Sequence, residues 1–127
     1  MEDSSSLASV PTRLTLSTCT VDVDTTTDSV VVRIAGELDM ADADQVGDVL
    51  SGAVDMGKRI VRVQLADLRF ADSSAIKAIL IGAQAADERG VAYELVSPRG
   101  LVQRLLEVTG LNNALTVVHE PEAPVAN

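Results

Sequence analysis

The sequence predicts a single α/β domain: a mostly parallel sheet with an antiparallel hairpin at one edge and helices mainly covering one face. Three observations predict it. Strand-like runs rich in Val, Ile and Leu alternate with segments of helical period, and that alternation implies right-handed crossovers between parallel strands. Inside the strand candidates apolar residues recur at every second position, while the positions between them include Arg33 and Arg62. One sheet face is therefore wholly apolar and the other only partly covered. Finally, the chain is 127 residues long, 46% apolar and 23% charged, which suits one buried core and is short for two. That core has to be aliphatic, because Phe70 and Tyr93 are the only aromatic residues.

Each element follows from local chemistry. Arg13–Val23 mixes β-branched residues with Leu and predicts a first strand; Asp24 to Ser29 supplies turn residues, and Val30–Gly36 predicts a second strand that closes a hairpin. In the second strand Val30, Val32 and Ile34 alternate with Val31, Arg33 and Ala35. In the third, Val61, Val63 and Leu65 alternate with Ile60, Arg62 and Gln64. Between these strands Asp39 is placed to cap a helix over 40–56, with Val46, Val49, Leu50 and Ala53 as its apolar stripe and Gly57 past its end. Asp39, Asp42 and Asp44 suit the positive end of that helix dipole. A second helix over 73–89 has Asp72 as N-cap and Gly90 as its stop, with a core stripe of Ile76, Ile79, Leu80 and Ala83. Val91–Val96 predicts a fourth strand. Ser97-Pro98 opens a third helix ended by Gly110, and Leu115–Val118 forms a last short strand. The order is ββαβαβαβ. Residues 1–12, rich in Ser, and 119–127, with Pro121 and Pro124, have too little apolar surface to repay ordering and are expected to be mobile tails around a folded unit at 13–118.

Charge and composition exclude several classes of function. A formal charge of −9 repels phosphate backbones and anionic headgroups, and no aromatic platform exists for stacking bases, so nucleic acid is not an expected partner. No run approaches the roughly 18 apolar residues that a membrane span needs, so no membrane insertion is expected. Cys19 is the single cysteine, which excludes an internal disulfide, a CxxC redox pair and a thiolate zinc cluster, and fits a cytoplasmic setting. Neither G-x-x-x-x-G-K-[ST] nor G-x-G-x-x-G occurs, and Asp42-Ala-Asp44-Gln-Val46-Gly47 fails as a calcium loop because its twelfth position is Ala53. No metal or other cofactor is expected. Hydrolysis by a serine nucleophile is set aside as well, since the one histidine, His119, follows the last strand and no G-x-S-x-G turn exists.

The chemistry that remains sits where parallel strands end, at the carboxyl edge of the sheet. Asp39 and Asp72-Ser73-Ser74 both fall there. Asp72-Ser73-Ser74-Ala75 has two explanations: ordinary capping of a helix, or presentation of a serine for covalent modification at a helix start that tolerates a phosphate. The second helix adds a further hint, because Ala75, Ala78, Ile81, Gly82 and Ala85 make the side opposite its core stripe small and apolar too. Either a neighbouring helix or a protein partner covers that side.

These residues resemble a known family, the STAS domains, and within it the bacterial anti-sigma factor antagonists. The resemblance rests on Ile34-Ala-Gly-Glu-Leu-Asp39, on Asp67-Leu-Arg-Phe-Ala-Asp72-Ser-Ser74, and on Ser97-Pro98 followed by Val102-Gln-Arg-Leu-Leu-Glu-Val-Thr-Gly110-Leu111. It spans about 13–118 and implies a STAS-like fold. It also implies a function without catalysis by this chain: binding a histidine-kinase-like serine kinase that acts as anti-sigma factor, releasing its sigma factor, and being switched off when that partner phosphorylates Ser74. Ser73 is the secondary candidate. A serine phosphatase would restore the binding form. The implied partner-binding residues are Asp39, Met40, Asp72, Ser73, Ser74, Ala75, Ile76 and Lys77, with Asp39 bordering the hydroxyl, Asp72 capping the helix and Ser73 supporting the loop. The family usually has Gly where this chain has Ala75, whose methyl is expected to narrow the partner's approach to the backbone. The alternative reading is a STAS adaptor subunit of a transport or sensory complex that never carries phosphate.

Overall fold

The computed structural model describes residues 12–120. Among them the strands are β1 (Thr12–Thr15), β2 (Cys19–Thr25), β3 (Ser29–Leu38), β4 (Ile60–Gln64), β5 (Leu68–Ala71), β6 (Ala92–Val96) and β7 (Thr116–Val118). The helices are α1 (Ala43–Asp55), α2 (Ser73–Arg89), α3 (Gly100–Thr109) and α4 (Leu111–Ala114). The sheet runs β1-β2-β3-β4-β6-β7, antiparallel through β3 and parallel beyond it, with β5 pairing β3 past the end of β4. This is the mixed α/β architecture the sequence predicts. No helix among the described residues is long and apolar enough to cross a membrane.

Alternation sorts the two faces. Val30, Val32 and Ile34 of β3, Val61 and Val63 of β4, and Leu95 of β6 are buried under the helices. The opposite face carries ion pairs instead: Arg13 bonds Asp22 at 2.6 Å, and Arg62 bonds Glu94 at 3.1 Å and Glu120 at 2.6 Å. Such half-exposed pairs stabilise little, yet they keep an uncovered sheet face soluble.

Five expectations change. The expected strand over 13–23 folds back on itself at Leu16–Thr18, and Leu16 N–H closes that turn on Cys19 C=O at 2.9 Å. No Gly or Pro marks the reversal, because a distant carboxylate holds it, as described below. The strand β5 was not expected at all; it arises because the chain after β4 bends away at Leu65–Asp67 and then pairs with the part of β3 that β4 leaves free.

The first helix starts at Ala43, not at residue 40, since Asp39 C=O accepts from Asp42 N–H and Ala43 N–H and holds a separate turn before it. The third starts at Gly100, two residues after Pro98. Ser97 sits at a φ of +53°, a left-handed conformation that keeps the chain off a helical path before Pro98, and its N–H donates to Val118 C=O at 2.7 Å. Thr12 already pairs with Val23, while Glu120 N–H donates to Ser97 Oγ at 3.0 Å. The rest of the two expected tails lies outside the described residues.

The fifth change concerns α2, which does span 73–89 between Asp72 and Gly90. Its buried face is the small one, Ala75, Ala78, Ile79, Gly82 and Ala86, while Leu80 is 40% exposed and Ile81 39%. Close packing by α1 is the reason. A methyl on Gly82 would lie 2.8 Å from Leu50 Cβ and 2.5 Å from Tyr93 Oη, and one on Gly47 would lie 3.3 Å from Ile81 Cδ1. A neighbouring helix therefore covers the small side; of the expected stripe Ile79 stays buried and Ile76 partly so, while Leu80 turns outward.

Candidate functional site

Two loops leave the carboxyl ends of adjacent strands, one from β3 into α1 and one from β5 into α2. They are tied together, since Asp72 N–H donates to Leu38 C=O at 3.3 Å. Both expected carboxylates are consumed by backbone. Asp39 Oδ1 accepts from Ala41 N–H at 3.0 Å and shapes the turn that presents Met40, which is 73% exposed. Asp72 Oδ1 accepts from Ser74 N–H at 2.9 Å and Ala75 N–H at 3.2 Å, the side-chain cap of α2. Their roles are thus to fix where Met40 and Ser74 point.

Between the loops lies a cleft of about 180 Å³, lined by Met40, Ala43 and Asp44 from the α1 side and by Ser74, Lys77, Ala78 and Ile81 from α2. Ser74, Lys77, Ala78 and Ile81 share one helix face at spacings of three and four residues. Of the residues expected to meet a partner, Met40, Ser74 and Lys77 line this cleft. Ser73 is exposed beside it and Ile76 is partly buried. Ala75, also expected at the partner surface, is instead fully buried with its side chain in the core. Sequence reading missed Ala43 and Asp44, and named Ile81 only within the small apolar side of the helix. Ile81 was within reach, being seven residues beyond Ser74 on the same face, whereas Ala43 and Asp44 join the cleft only through the packing of α1 on α2.

Sequence reading also missed Asp42. Its side chain is 1% exposed and makes no cap bond to α1. It reaches instead to the β1–β2 turn, accepting from Ser17 N–H at 3.1 Å, Thr18 N–H at 2.8 Å and Thr18 Oγ1 at 3.0 Å, with Cys19 Sγ at 3.6 Å. Burial alone would raise its pKa, but the bonds from Thr18 and Ser17 outweigh burial and hold the carboxyl below its usual range. Cys19 responds in the opposite sense, its thiol pushed up to about 11 by burial and by the neighbouring charge of Asp42.

The comparisons agree with this frame. The model of the family described as MlaB, STAS domain matches residues 21–119. No curated protein matches the sequence closely enough to count as a relative. Among solved structures, the chain is similar to the anti-sigma factor antagonist SpoIIAA in its unphosphorylated form, with 22% identity, TM-score 0.70, and coverage of 80% of this chain and 89% of that one. It is similar to a STAS-domain anti-sigma factor antagonist from Planctomyces limnophilus at 17% identity and TM-score 0.71, covering 80% of this chain and 91% of that one. An anti-sigma factor antagonist from Mycobacterium paratuberculosis matches at 21% identity and TM-score 0.65, covering 87% and 86%. At these identities the structural likeness speaks for the fold, and the family match over 21–119 settles membership: the chain belongs to the STAS domain family.

Proposed function

We propose that this protein is an anti-sigma factor antagonist: it binds a kinase-type anti-sigma factor, frees the sigma factor, and is switched off by phosphorylation of Ser74. The observation that carries the reading is Ser74 on an open cleft, on a helix start held by Asp72, beside the exposed Met40. The chain performs no catalysis in this reading. The partner kinase transfers the γ-phosphoryl of ATP to Ser74 Oγ, which loses its proton as ADP leaves; a serine phosphatase hydrolyses the ester and restores the hydroxyl. A phosphate adds about −1.5 to −2 charges, which the N–H groups of the α2 start tolerate, so the fold changes little. Docking suffers instead, because a partner covering Asp44 and the phosphate together would desolvate like charges side by side. The phosphorylated form of the Bacillus protein SpoIIAA, similar at 22% identity and TM-score 0.64, supports the reading by analogy.

The test is a titration of variants against the anti-sigma factor, with phosphopeptide mapping after incubation with ATP. Ser74→Ala binds and resists inactivation, Ser74→Glu binds weakly, and Ser73→Ala is still phosphorylated. Equal affinities for Ser74→Ala and Ser74→Glu, with no phosphate on Ser74, reject the switch. That outcome would favour the second reading, an adaptor subunit that never carries phosphate, which has one observation of its own: the matching family model is named for MlaB and not for an antagonist.

A further inference from the structure

We propose that Lys77 is the internal counter-ion for phosphate carried at Ser74, the two forming an ion pair along the α2 wall of the cleft. The proposal rests on the reading of Ser74 as the modified residue. Lys77 follows Ser74 by three residues, the spacing at which side chains meet on a helix surface, and both line the same cleft of about 180 Å³. Its ammonium forms no hydrogen bond or ion pair among the described residues, so it is available to a new anion. It is also the one cation of that lining, where the remaining charge is Asp44. Asp72 and Asp39, which fix the two loops, already accept from backbone N–H groups. A phosphate on Ser74 therefore shares its cleft lining with one carboxylate, Asp44, and one ammonium, Lys77. Pairing would draw Lys77 along the α2 wall toward Ser74, which removes the free cation that a partner would use.

Phosphoserine placed at 74 in the full chain by genetic code expansion separates this from the action of any kinase. The second ionisation of the phosphate, ordinarily near pH 6, is followed by phosphorus NMR in the chain with Lys77 and in Lys77→Gln and Lys77→Arg. Lys77→Gln is expected to raise the phosphate pKa by about 0.3 relative to the chain with Lys77, and Lys77→Arg to restore it, with the difference shrinking at high salt. Asp44→Asn, which removes the opposing carboxylate, lowers it. Equal phosphate pKa values with Lys77 and with Gln at 77 overturn the counter-ion assignment. Failure of a kinase to modify Ser74 would instead overturn the phosphorylation reading, and the two failures are read from different samples.

Discussion

The carboxylate of Asp42, at the entry to α1, accepts a 2.8 Å hydrogen bond from the backbone N–H of Thr18, in a hairpin turn 24 residues earlier. With the bonds from Ser17 N–H and Thr18 Oγ1, this one side chain fastens the antiparallel edge of the sheet to the loop that presents Met40. An ordinary N-cap residue would bond its own helix. Here the cap function is given up for a long-range tie.

Asp42→Asn puts an amide where the turn offers N–H donors, leaving at least one of them unsatisfied, and should destabilise the fold by about 1–3 kcal/mol in urea unfolding at pH 7. The pH dependence has a definite sign. Because the native carboxyl is held below its usual range, its contribution is present above the ordinary carboxylate pKa of about 4 and is lost as pH falls through the native value. The stability gap between the parent and Asp42→Asn should therefore narrow below about pH 4. A gap that is constant from pH 7 to pH 3 contradicts an ionised tie.

Gly82 leaves no room for a side chain where α2 packs on Leu50 of α1 and on Tyr93. Gly82→Ala sets a methyl 2.8 Å from Leu50 Cβ and 2.5 Å from Tyr93 Oη, so overpacking should cost about 1–3 kcal/mol despite alanine's better helix propensity. Tyr93 Oη also donates to Ile79 C=O at 2.9 Å. Tyr93→Phe alone loses that bond, but in the Gly82→Ala background it removes one of the two clashes. A double-mutant cycle by thermal unfolding should show the pair costing less than the sum of the singles.

Cys19 should be chemically quiet. Its thiol is buried and pushed up to about 11, so the reactive thiolate is scarce near neutral pH. Alkylation by iodoacetamide at pH 8 should be slow in the native protein and complete after unfolding. Rapid labelling of the native state would show that the turn at 16–18 opens readily.

Met40 and Ile81 are apolar, exposed and on opposite walls of the Ser74 cleft. Met40→Ser and Ile81→Ser should each change stability by no more than about 0.5 kcal/mol. Under the antagonist reading each should weaken association with the anti-sigma factor by roughly 10-fold or more in a calorimetric titration. Leu101, equally apolar and 65% exposed on α3, serves as the control: Leu101→Ser should leave that affinity unchanged.

The sequence alone determined the α/β class, the parallel core strands and the limits of α2, because period-two alternation, an N-cap aspartate and a stopping glycine are local and mutually consistent signals. It also placed Asp39, Asp72 and Ser74 at one edge of the sheet, since topology sends every loop after a parallel strand to that edge. What only the tertiary structure decided depends on contacts far apart in the chain. The reversal at 16–18 is held by Asp42, and β5 exists because β4 ends before β3 does. The inward face of α2 was misjudged for the same kind of reason. Residue size suggests that Ile and Leu should be buried, but α1 lies so close across Gly47 and Gly82 that only Ala and Gly fit between the helices. Leu80 and Ile81 then turn outward, and Ile81 supplies an apolar wall beside Ser74.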